Sequence, residues 1–206
     1  SISNQLKISS VIITFDPHPR NLIGEPKEKV KLLMSLNRKI ELLKSFSIDH
    51  LVILRFDSNL MAIGAEEFLK NILMKNINPR CIVSGNNHTF GHNRSRNIHY
   101  LRKFCTINKI ALEVVTPLKD GEMIISSTNI RNLIENGFIR RANYALGSIY
   151  GFYANVVSGA GRGKKMKYPT ANLSPIEKDQ LLPKIGVYFT RCIINGLSHY
   201  GMCNFG

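Results

Sequence analysis

The sequence predicts an α/β domain built on a parallel sheet, followed by a second region of antiparallel β-structure. Four short apolar runs alternate with segments of helical spacing between Val11 and Leu146. Such alternation with short connections is typical of a parallel sheet covered by helices. After Gly147 the helical spacing stops, and runs rich in Tyr, Phe and Val follow. We therefore predict two domains, 1–146 and 147–206.

The elements of the first domain follow from the spacing of apolar residues and from helix-ending signals. The predicted strands are VIITF (11–15) and HLVILRF (50–56), which we expect to be buried, and CIVS (81–84) and ALEVV (111–115). The first predicted helix starts at Ser35 and has Leu36, Ile40, Leu43 and Phe46 on one face. Two further helices are predicted over 64–76 and 97–108. A fourth is capped by Ser127 and ends before Gly137, and the last is IRRANYAL, which ends before Gly147. The helix over 97–108 carries Ile98, Leu101 and Cys105, and Ile130, Leu133 and Ile134 of the helix capped by Ser127 are predicted to face the interior.

The second region shows no helical spacing. Its runs IYGFYANVVSG, GVYFTRCII and HYGMCNF are typical of strands. Asn195-Gly196 separates two of these runs, and this dipeptide is a strong signal for a two-residue hairpin turn. The pattern predicts part of an antiparallel β domain.

Composition excludes some classes of protein and leaves others open. No apolar run approaches the ~20 residues that a membrane helix needs, and the N-terminus lacks the features of a signal peptide. The net charge of +14 fits a nucleic-acid binder or an enzyme that acts on polyphosphate substrates. It also fits a general compositional bias towards Lys, Asn and Ile, because the basic residues are scattered along the chain. Four cysteines, Cys81, Cys105, Cys192 and Cys203, lie singly in apolar segments. We predict buried free thiols in a cytoplasmic protein.

One candidate phosphate site is SGAGRGKKMKYPTAN at 158–172. It matches neither a Walker A loop nor the GxGxxG fingerprint. Gly159, Gly161 and Gly163 would let backbone N–H groups approach a phosphate, and Arg162 and Lys165 carry positive charge. Thr170 and Asn172 offer the hard oxygen donors that Mg²⁺ prefers. The alternative is a solvated basic β-loop.

A second candidate is ISSTNIR at 125–131, where hydroxyl groups stand at the start of a predicted helix. Free N–H groups at a helix N-terminus attract anions, and Arg131 can bind phosphate through two parallel hydrogen bonds. The hydroxyl groups belong to Ser126, Ser127 and Thr128. The alternative is an ordinary N-cap, which needs only one serine.

Two further loops lie at predicted carboxyl ends of strands, where ligands bind in parallel sheets. TFDPHP (14–19) would be rigid because two prolines flank His18, and GNNHTFGHNR (85–94) combines glycines, an aromatic ring and the amide of Asn87. Either can be a simple turn. His88, His92 and His99 lack an acidic partner at metal-ligand spacing, which argues against a histidine metal site.

Together these stretches resemble the bacterial family of bifunctional riboflavin kinase/FMN adenylyltransferases, also called FAD synthetases. The matching stretches are TFDPHPR (14–20), SGNNHTFG (84–91), ISSTNIR (125–131), GAGRG with PTAN (159–172), LLPKIGVY (181–188) and GMCNFG (201–206). They occur in the order and spacing of the family and cover nearly the whole chain.

The resemblance implies two activities. A Rossmann-like nucleotidylyltransferase domain would join the AMP part of ATP to FMN, giving FAD, and a small β-barrel would phosphorylate riboflavin to FMN with ATP and Mg²⁺. The residues implied for FMN and ATP in the first domain are Asp16, Pro17, His18, Pro19, Asn87, Ser126, Ser127, Thr128 and Arg131. Those implied for ATP in the kinase are Gly159, Gly161, Arg162, Gly163, Lys165 and Thr170, with Thr170 and Asn172 as ligands of Mg²⁺. Partners would be small-molecule substrates, with no nucleic acid and no membrane.

The sequence departs from the family in four places. The 206 residues contain no HxGH motif, which the family places before TFDPHP, and the kinase glutamate that follows NFG in the family is also absent. Ala160 and Lys167 stand where the family usually has Asp and Gly. We therefore expect a chain cut at both ends that makes little or no FAD alone. A non-catalytic flavin- or nucleotide-binding remnant and a basic nucleic-acid-binding protein are the alternatives.

Overall fold

The computed structural model describes residues 2–22, 29–86, 97–159, 167 and 170–206 of the chain. It consists of two compact units, each made of segments that are distant in sequence. The first unit is Ser1–Lys29 with Ile48–Ile124, and the second is Val30–Ser47 with Ile125–Gly206. These units group residues that lie close together in space, whereas the predicted boundary near residue 147 divides the chain at one point along the sequence. That boundary stays a prediction.

The first unit contains four α-helices, a π-helix, a short 3₁₀ helix (Pro19–Asn21) and six strands among its described residues. The helices are α1 (Ile2–Leu6), α3 (Ser58–Ala62), α4 (Ala65–Glu67), which continues as a π-helix (Phe68–Met74), and α5 (Ile98–Ile107). The strands are β1 (Val11–Asp16), β2 (His50–Arg55), β3 (Cys81–Gly85), β4 (Ala111–Val115), β5 (Lys119–Asp120) and β6 (Met123–Ile124). All four predicted strands and the predicted helices of this region are therefore present.

The four long strands pair in parallel, as the alternating pattern predicts. β1 lies beside β2, starting from Val11 opposite His50, and β3 lies beside β4, starting from Cys81 opposite Ala111. Among the described residues they form two separate two-stranded sheets rather than one. The prediction that β1 and β2 are buried overestimates their burial, since neither strand contains a fully buried residue. The middle residues of β1 are half-buried, as are those of β2 except Ile53, which is exposed. Burial depends on neighbouring layers that an apolar run does not specify.

The core of the first unit lies between the π-helix, α5 and the β3–β4 pair. Leu69 is 1% exposed, and Leu101 and Phe104 of α5 are buried in the same cluster. Ile82 and Leu112 pack against it from the sheet. The predicted helix over 97–108 is thus present as α5, and its apolar residues recur at helical spacing and are buried in this cluster.

A reciprocal contact between Ser10 and Asp49 sets the start of the β1–β2 pair. One carboxylate oxygen of Asp49 accepts hydrogen bonds from the Ser10 backbone N–H at 2.7 Å and from its hydroxyl group at 2.8 Å. The Asp49 N–H donates back to the Ser10 hydroxyl oxygen at 3.0 Å. Because both residues immediately precede the first strand pairs, this contact favours the observed register.

This contact predicts a pH-dependent contribution to stability. The hydrogen bonds from Ser10 stabilise the ionised carboxylate and lower the pKa of Asp49 below its ordinary value of 3.8. The contribution is therefore complete above the unfolded pKa and is lost as pH falls through the lower folded pKa. Between about pH 6 and pH 3, the wild type should lose more unfolding free energy than Asp49→Asn. Glu122→Gln, at an exposed turn, is the control, and parallel pH curves for wild type and Asp49→Asn would refute the prediction.

The second unit contains three helices and four strands among its described residues. The helices are α2 (Leu36–Lys44), α6 (Ser127–Glu135) and α7 (Ile139–Leu146). The strands are β7 (Ala154–Val157), β8 (Asn172–Pro175), β9 (Gly186–Ile194) and β10 (Leu197–Phe205). α2 begins after its N-cap Ser35 as predicted but ends at Lys44, so Phe46 lies beyond it and is 62% exposed.

The helices of the second unit follow their sequence signals with one correction. The N-cap of α6 is Ser126, not Ser127, because the Ser126 hydroxyl oxygen accepts the Asn129 N–H at 3.2 Å. Ile130, Leu133 and Ile134 are buried as predicted. α7 ends at Leu146 and is followed by Gly147, whose left-handed φ of 65° favours glycine at this position.

The strands of the second unit form two antiparallel pairs. β7 pairs with β8, and β9 with β10. Asn195 and Gly196 both have positive φ, as the predicted hairpin turn requires. The part of the chain that the structure describes shows no link between the pairs and no closed barrel. One face of the β9–β10 hairpin is therefore open, with Phe189 78% and Met202 84% exposed.

All four cysteines are free thiols, but only Cys105 is fully buried. Burial raises the pKa of this thiol. Cys81 and Cys203 are half-buried, and Cys192 is exposed, which corrects the prediction that all four are buried. The reason is that Cys192 lies near the tip of the β9–β10 hairpin. Within the described ranges, every helix is too short or too polar to cross a membrane.

Candidate functional site

The predicted phosphate loop begins and ends on the β7–β8 pair, which we call the ribbon (Ala154–Val157 and Asn172–Pro175). Val157 lies opposite Asn172, so Gly159 and Asn172 stand at the same end of the ribbon. A Cβ atom on Gly159 would lie 1.8 Å from the side-chain nitrogen of Asn172 and 2.5 Å from its Cγ. The amide of Asn172 therefore occupies the space that any other residue at 159 would fill.

The remaining predicted residues of this loop divide into two groups. Thr170 is exposed and precedes Asn172 by two positions. Ala160, Gly161, Arg162, Gly163 and Lys165 lie outside the described residues. Hydroxyl and amide oxygens are hard, neutral donors, which suit Mg²⁺ only when another ligand supplies negative charge. Among the described residues, no cluster of three or more His, Cys, Asp or Glu side chains could hold a metal.

Lys167 has a left-handed backbone, with φ of 62°. This conformation favours glycine, because a Cβ atom crowds the following carbonyl oxygen. Lys167 stands where the resemblance leads us to expect glycine, and its backbone has the conformation that glycine favours.

The conformation predicts an unusual effect of replacing Lys167. Lys167→Gly should leave stability unchanged or raise the unfolding free energy by up to about 1 kcal/mol, since relief of the left-handed strain offsets the added chain entropy. Lys178→Gly, in an exposed turn without positive φ, is the matched control and should lose about 0.5–1 kcal/mol. Thermal unfolding measures both. Equal losses in the two variants would contradict the prediction.

At the start of α6, the structure separates capping from the other predicted roles. Ser126 is the N-cap, and Ser127 and Thr128 are exposed in the first turn. The Nε–H of Arg131 donates to the backbone carbonyl of Lys31 at 2.7 Å. Sequence reasoning missed this contact, which joins residues 100 positions apart.

The DPHP loop lies in the first unit, whereas α6 belongs to the second. Asp16 ends β1, is exposed, and precedes a cis peptide bond to Pro17. The Asp16 carbonyl accepts the Phe56 N–H at 2.9 Å, and His18 Nδ1 accepts the Arg20 N–H at 3.2 Å. These bonds hold the backbone after β1 and begin a 3₁₀ turn at Pro19. Asn87 lies outside the described residues.

A buried polar group that sequence reasoning also missed lies in the second unit. Gln180 is 5% exposed, and its side-chain N–H groups reach the Leu32 carbonyl at 3.1 Å and the Tyr150 hydroxyl oxygen at 2.9 Å. The Tyr150 hydroxyl donates to the Leu181 carbonyl. Burial raises the pKa of Tyr150 to about 12, so this hydroxyl stays protonated. The only sequence signal is a lone glutamine beside an apolar pair.

Two family models match the chain. The model for FAD synthetase matches residues 1–129, and the model for riboflavin kinase matches residues 146–206. The ribbon and Gly159 therefore lie in the kinase match. The DPHP loop and the start of α6 lie in the synthetase match.

Similar proteins agree with these matches. Proteins named bifunctional riboflavin kinase/FMN adenylyltransferase are 30% identical over 205 residues in Listeria monocytogenes and 30% over 211 residues in Buchnera aphidicola subsp. Schizaphis graminum. Both cover 100% of this chain, which spans 64% and 65% of their lengths. A crystal structure described as a macrolide-efflux protein from Streptococcus pneumoniae is similar with a TM-score of 0.87 and 26% identity, covering 100% of this chain and 66% of that chain.

The extent of these matches establishes the family of the chain. The synthetase model spans more than half of the chain, and the chain spans just under two thirds of the length of these curated relatives. The parallel strand pairs followed by antiparallel β-structure fit the order of the two matches. The chain belongs to the FAD synthetase family.

Proposed function

We propose that the protein acts in flavin cofactor biosynthesis, phosphorylating riboflavin to FMN and adenylylating FMN to FAD, with ATP as the donor in both reactions. The observation that carries this proposal is the contact between Gly159 and Asn172 at the end of the ribbon. This contact lies in the region matched by the riboflavin kinase model. Only glycine fits at position 159 beside the Asn172 amide, which carries a hard oxygen donor.

In the proposed kinase site, Thr170 and Asn172 would hold Mg²⁺. The amide cradled against Gly159 supports this fit, since a larger residue at 159 would displace it. Gly159, Gly161, Arg162, Gly163 and Lys165 would bind the phosphates of ATP. Because Thr170 and Asn172 are neutral, the phosphates would supply the negative charge. When bound, Mg²⁺ neutralises charge on the phosphate oxygens.

In the proposed adenylyltransferase site, the protein would position FMN and ATP without a covalent nucleophile. Asp16, Pro17, His18, Pro19 and Asn87 would lie at the flavin and nucleotide. Ser126, Ser127, Thr128 and Arg131 would bind phosphates through hydroxyl groups, backbone N–H groups and a guanidinium group.

The finer architecture belongs to the same proposal. We assign residues 1–146 to a Rossmann-like nucleotidylyltransferase domain and 147–206 to the first strands of a riboflavin kinase barrel. The parallel pairs and the two antiparallel pairs support this assignment. The four free thiols support a reducing, cytoplasmic environment.

Product analysis tests the proposal. The protein expressed from its complete coding region is incubated with riboflavin, ATP and Mg²⁺, and FMN and FAD are separated by chromatography. We expect FMN first and FAD after it, and absence of both would overturn the proposal. The 206-residue chain, which lacks the HxGH motif, should make little or no FAD.

A non-catalytic flavin- or nucleotide-binding protein is the second candidate. The observation that favours it is Lys167, which places a long side chain at a left-handed position where the family usually has glycine. Titration with FMN and with ATP, followed by flavin fluorescence, separates the two candidates. Binding without any product would favour the second.

A further inference from the structure

The segment Val30–Ser47 lies within the stretch matched by the FAD synthetase model but packs in the unit that holds the kinase match. The ribbon has two ends in this unit. One end carries Gly159 and Asn172. At the other, the Ile176 N–H donates to the Tyr153 carbonyl at 3.0 Å, so Tyr153 and Ile176 form the base of the ribbon.

A hydrogen bond joins α2 to this base. The Tyr153 hydroxyl donates to one carboxylate oxygen of Glu41, and the other oxygen accepts from Arg38 at 3.1 Å. The bond lowers the pKa of Glu41 and raises the pKa of Tyr153, as expected for a carboxylate that accepts from a protonated phenol. A cavity of about 470 Å³, lined by Ile40 and Ile176 among others, lies beside the bond. The hydrogen bond thus links α2 to the base of the ribbon at the edge of this cavity.

Backbone bonds fix the beginning of the same segment. The Leu32 N–H donates to the Asp179 carbonyl at 2.7 Å, and the Leu181 N–H donates to the Leu32 carbonyl at 2.9 Å. The buried amide of Gln180 donates to that carbonyl as well. Residues 179–181 follow β8 closely, so these bonds to Leu32 fix the chain shortly after it leaves the ribbon.

We propose that Val30–Ser47 anchors the ribbon of the kinase region, with Glu41 as a positioning residue for nucleotide binding about one ribbon length away. The inference rests on the proposed function for the Gly159–Asn172 end. Strands β7 and β8 are short, with four residues each, and form a separate pair within the described residues. Restraint at the base therefore limits the motion of the other end. A segment of the synthetase match thus serves the kinase site.

Hydrogen exchange and nucleotide titration test the anchor in the 206-residue chain. Tyr153→Phe, Glu41→Leu and the double variant each remove the same bond, and Glu41→Gln keeps an acceptor oxygen. We expect faster exchange in peptides 153–159 and 170–176, and about three- to tenfold weaker binding of ADP with Mg²⁺. The double variant should be no worse than either single variant, and Glu41→Gln should restore most of the protection. Exchange in 50–55 should not change.

Tyr144→Phe is the matched control, since Tyr144 is 73% exposed on α7. The anchor is refuted if Tyr153→Phe exchanges like Tyr144→Phe, or if the effects of the two single variants add. The proposed function is tested separately. If the wild type binds no ADP, the proposed nucleotide site is contradicted. The exchange rates of the variants still show whether the hydrogen bond anchors the ribbon.

Discussion

Replacing Gly159 by alanine is expected to weaken Mg²⁺-dependent ADP binding by about tenfold or more, equivalent to at least about 1.4 kcal/mol. The backbone of Gly159 is not in the left-handed region, so conformational freedom is not the reason for glycine here. The reason is contact, since the new Cβ atom would overlap the side-chain amide of Asn172 at 1.8 Å. Either Asn172 leaves its position or the end of the ribbon opens, and both remove a proposed ligand of Mg²⁺.

Gly151→Ala provides the control for this variant. A Cβ atom on Gly151 would meet nothing within 4 Å. Gly151 lies in the same unit, just before β7, whereas Gly159 lies just after it. Calorimetric titration with ADP and Mg²⁺ should give wild-type affinity for Gly151→Ala. Wild-type affinity for Gly159→Ala as well would mean that Asn172 does not contribute to the nucleotide site.

The largest effect on stability is expected from Leu69→Ala, which should lower the unfolding free energy by about 2–5 kcal/mol. Leu69 is 1% exposed and lies in the π-helix that packs against α5. Truncation loses the transfer free energy of the side chain and leaves a cavity that rigid neighbours fill only partly.

Leu118→Ala is the corresponding control, because Leu118 is 73% exposed in a loop of the same unit. It should change stability by less than about 0.5 kcal/mol. Urea unfolding followed by circular dichroism measures both variants. A loss below about 1 kcal/mol for Leu69→Ala would show that this cluster is not the core of the unit.

The sequence was sufficient to predict elements whose signal is local. β1 to β4, α5 and α6 follow from apolar spacing, and the β9–β10 turn follows from Asn195-Gly196. The short elements α1, α3 and the β5–β6 pair were missed, since five residues or fewer carry little periodicity. Burial of the strands was overestimated, because it depends on layers that no single run encodes.

Contacts between distant segments could not be predicted from spacing. Glu41 and Tyr153 are 112 positions apart, and Leu32 and Gln180 are 148 apart. Motif types identified Gly159 and Asn172 as candidates, but only the structure shows that one packs against the other. Arg131 shows the same limit, since nothing local indicates its bond to the Lys31 carbonyl.

The most direct test of the proposed kinase site is nuclear magnetic resonance with Mn²⁺ in place of Mg²⁺. Mn²⁺ accepts the same oxygen ligands and broadens the signals of nearby atoms. With ADP present, we predict broadening of the Asn172 side-chain amide and the Thr170 backbone amide, and loss of this effect in Gly159→Ala. Unchanged Asn172 and Thr170 signals under saturating Mn²⁺ and ADP would contradict the assignment of the metal-nucleotide site to the end of the ribbon.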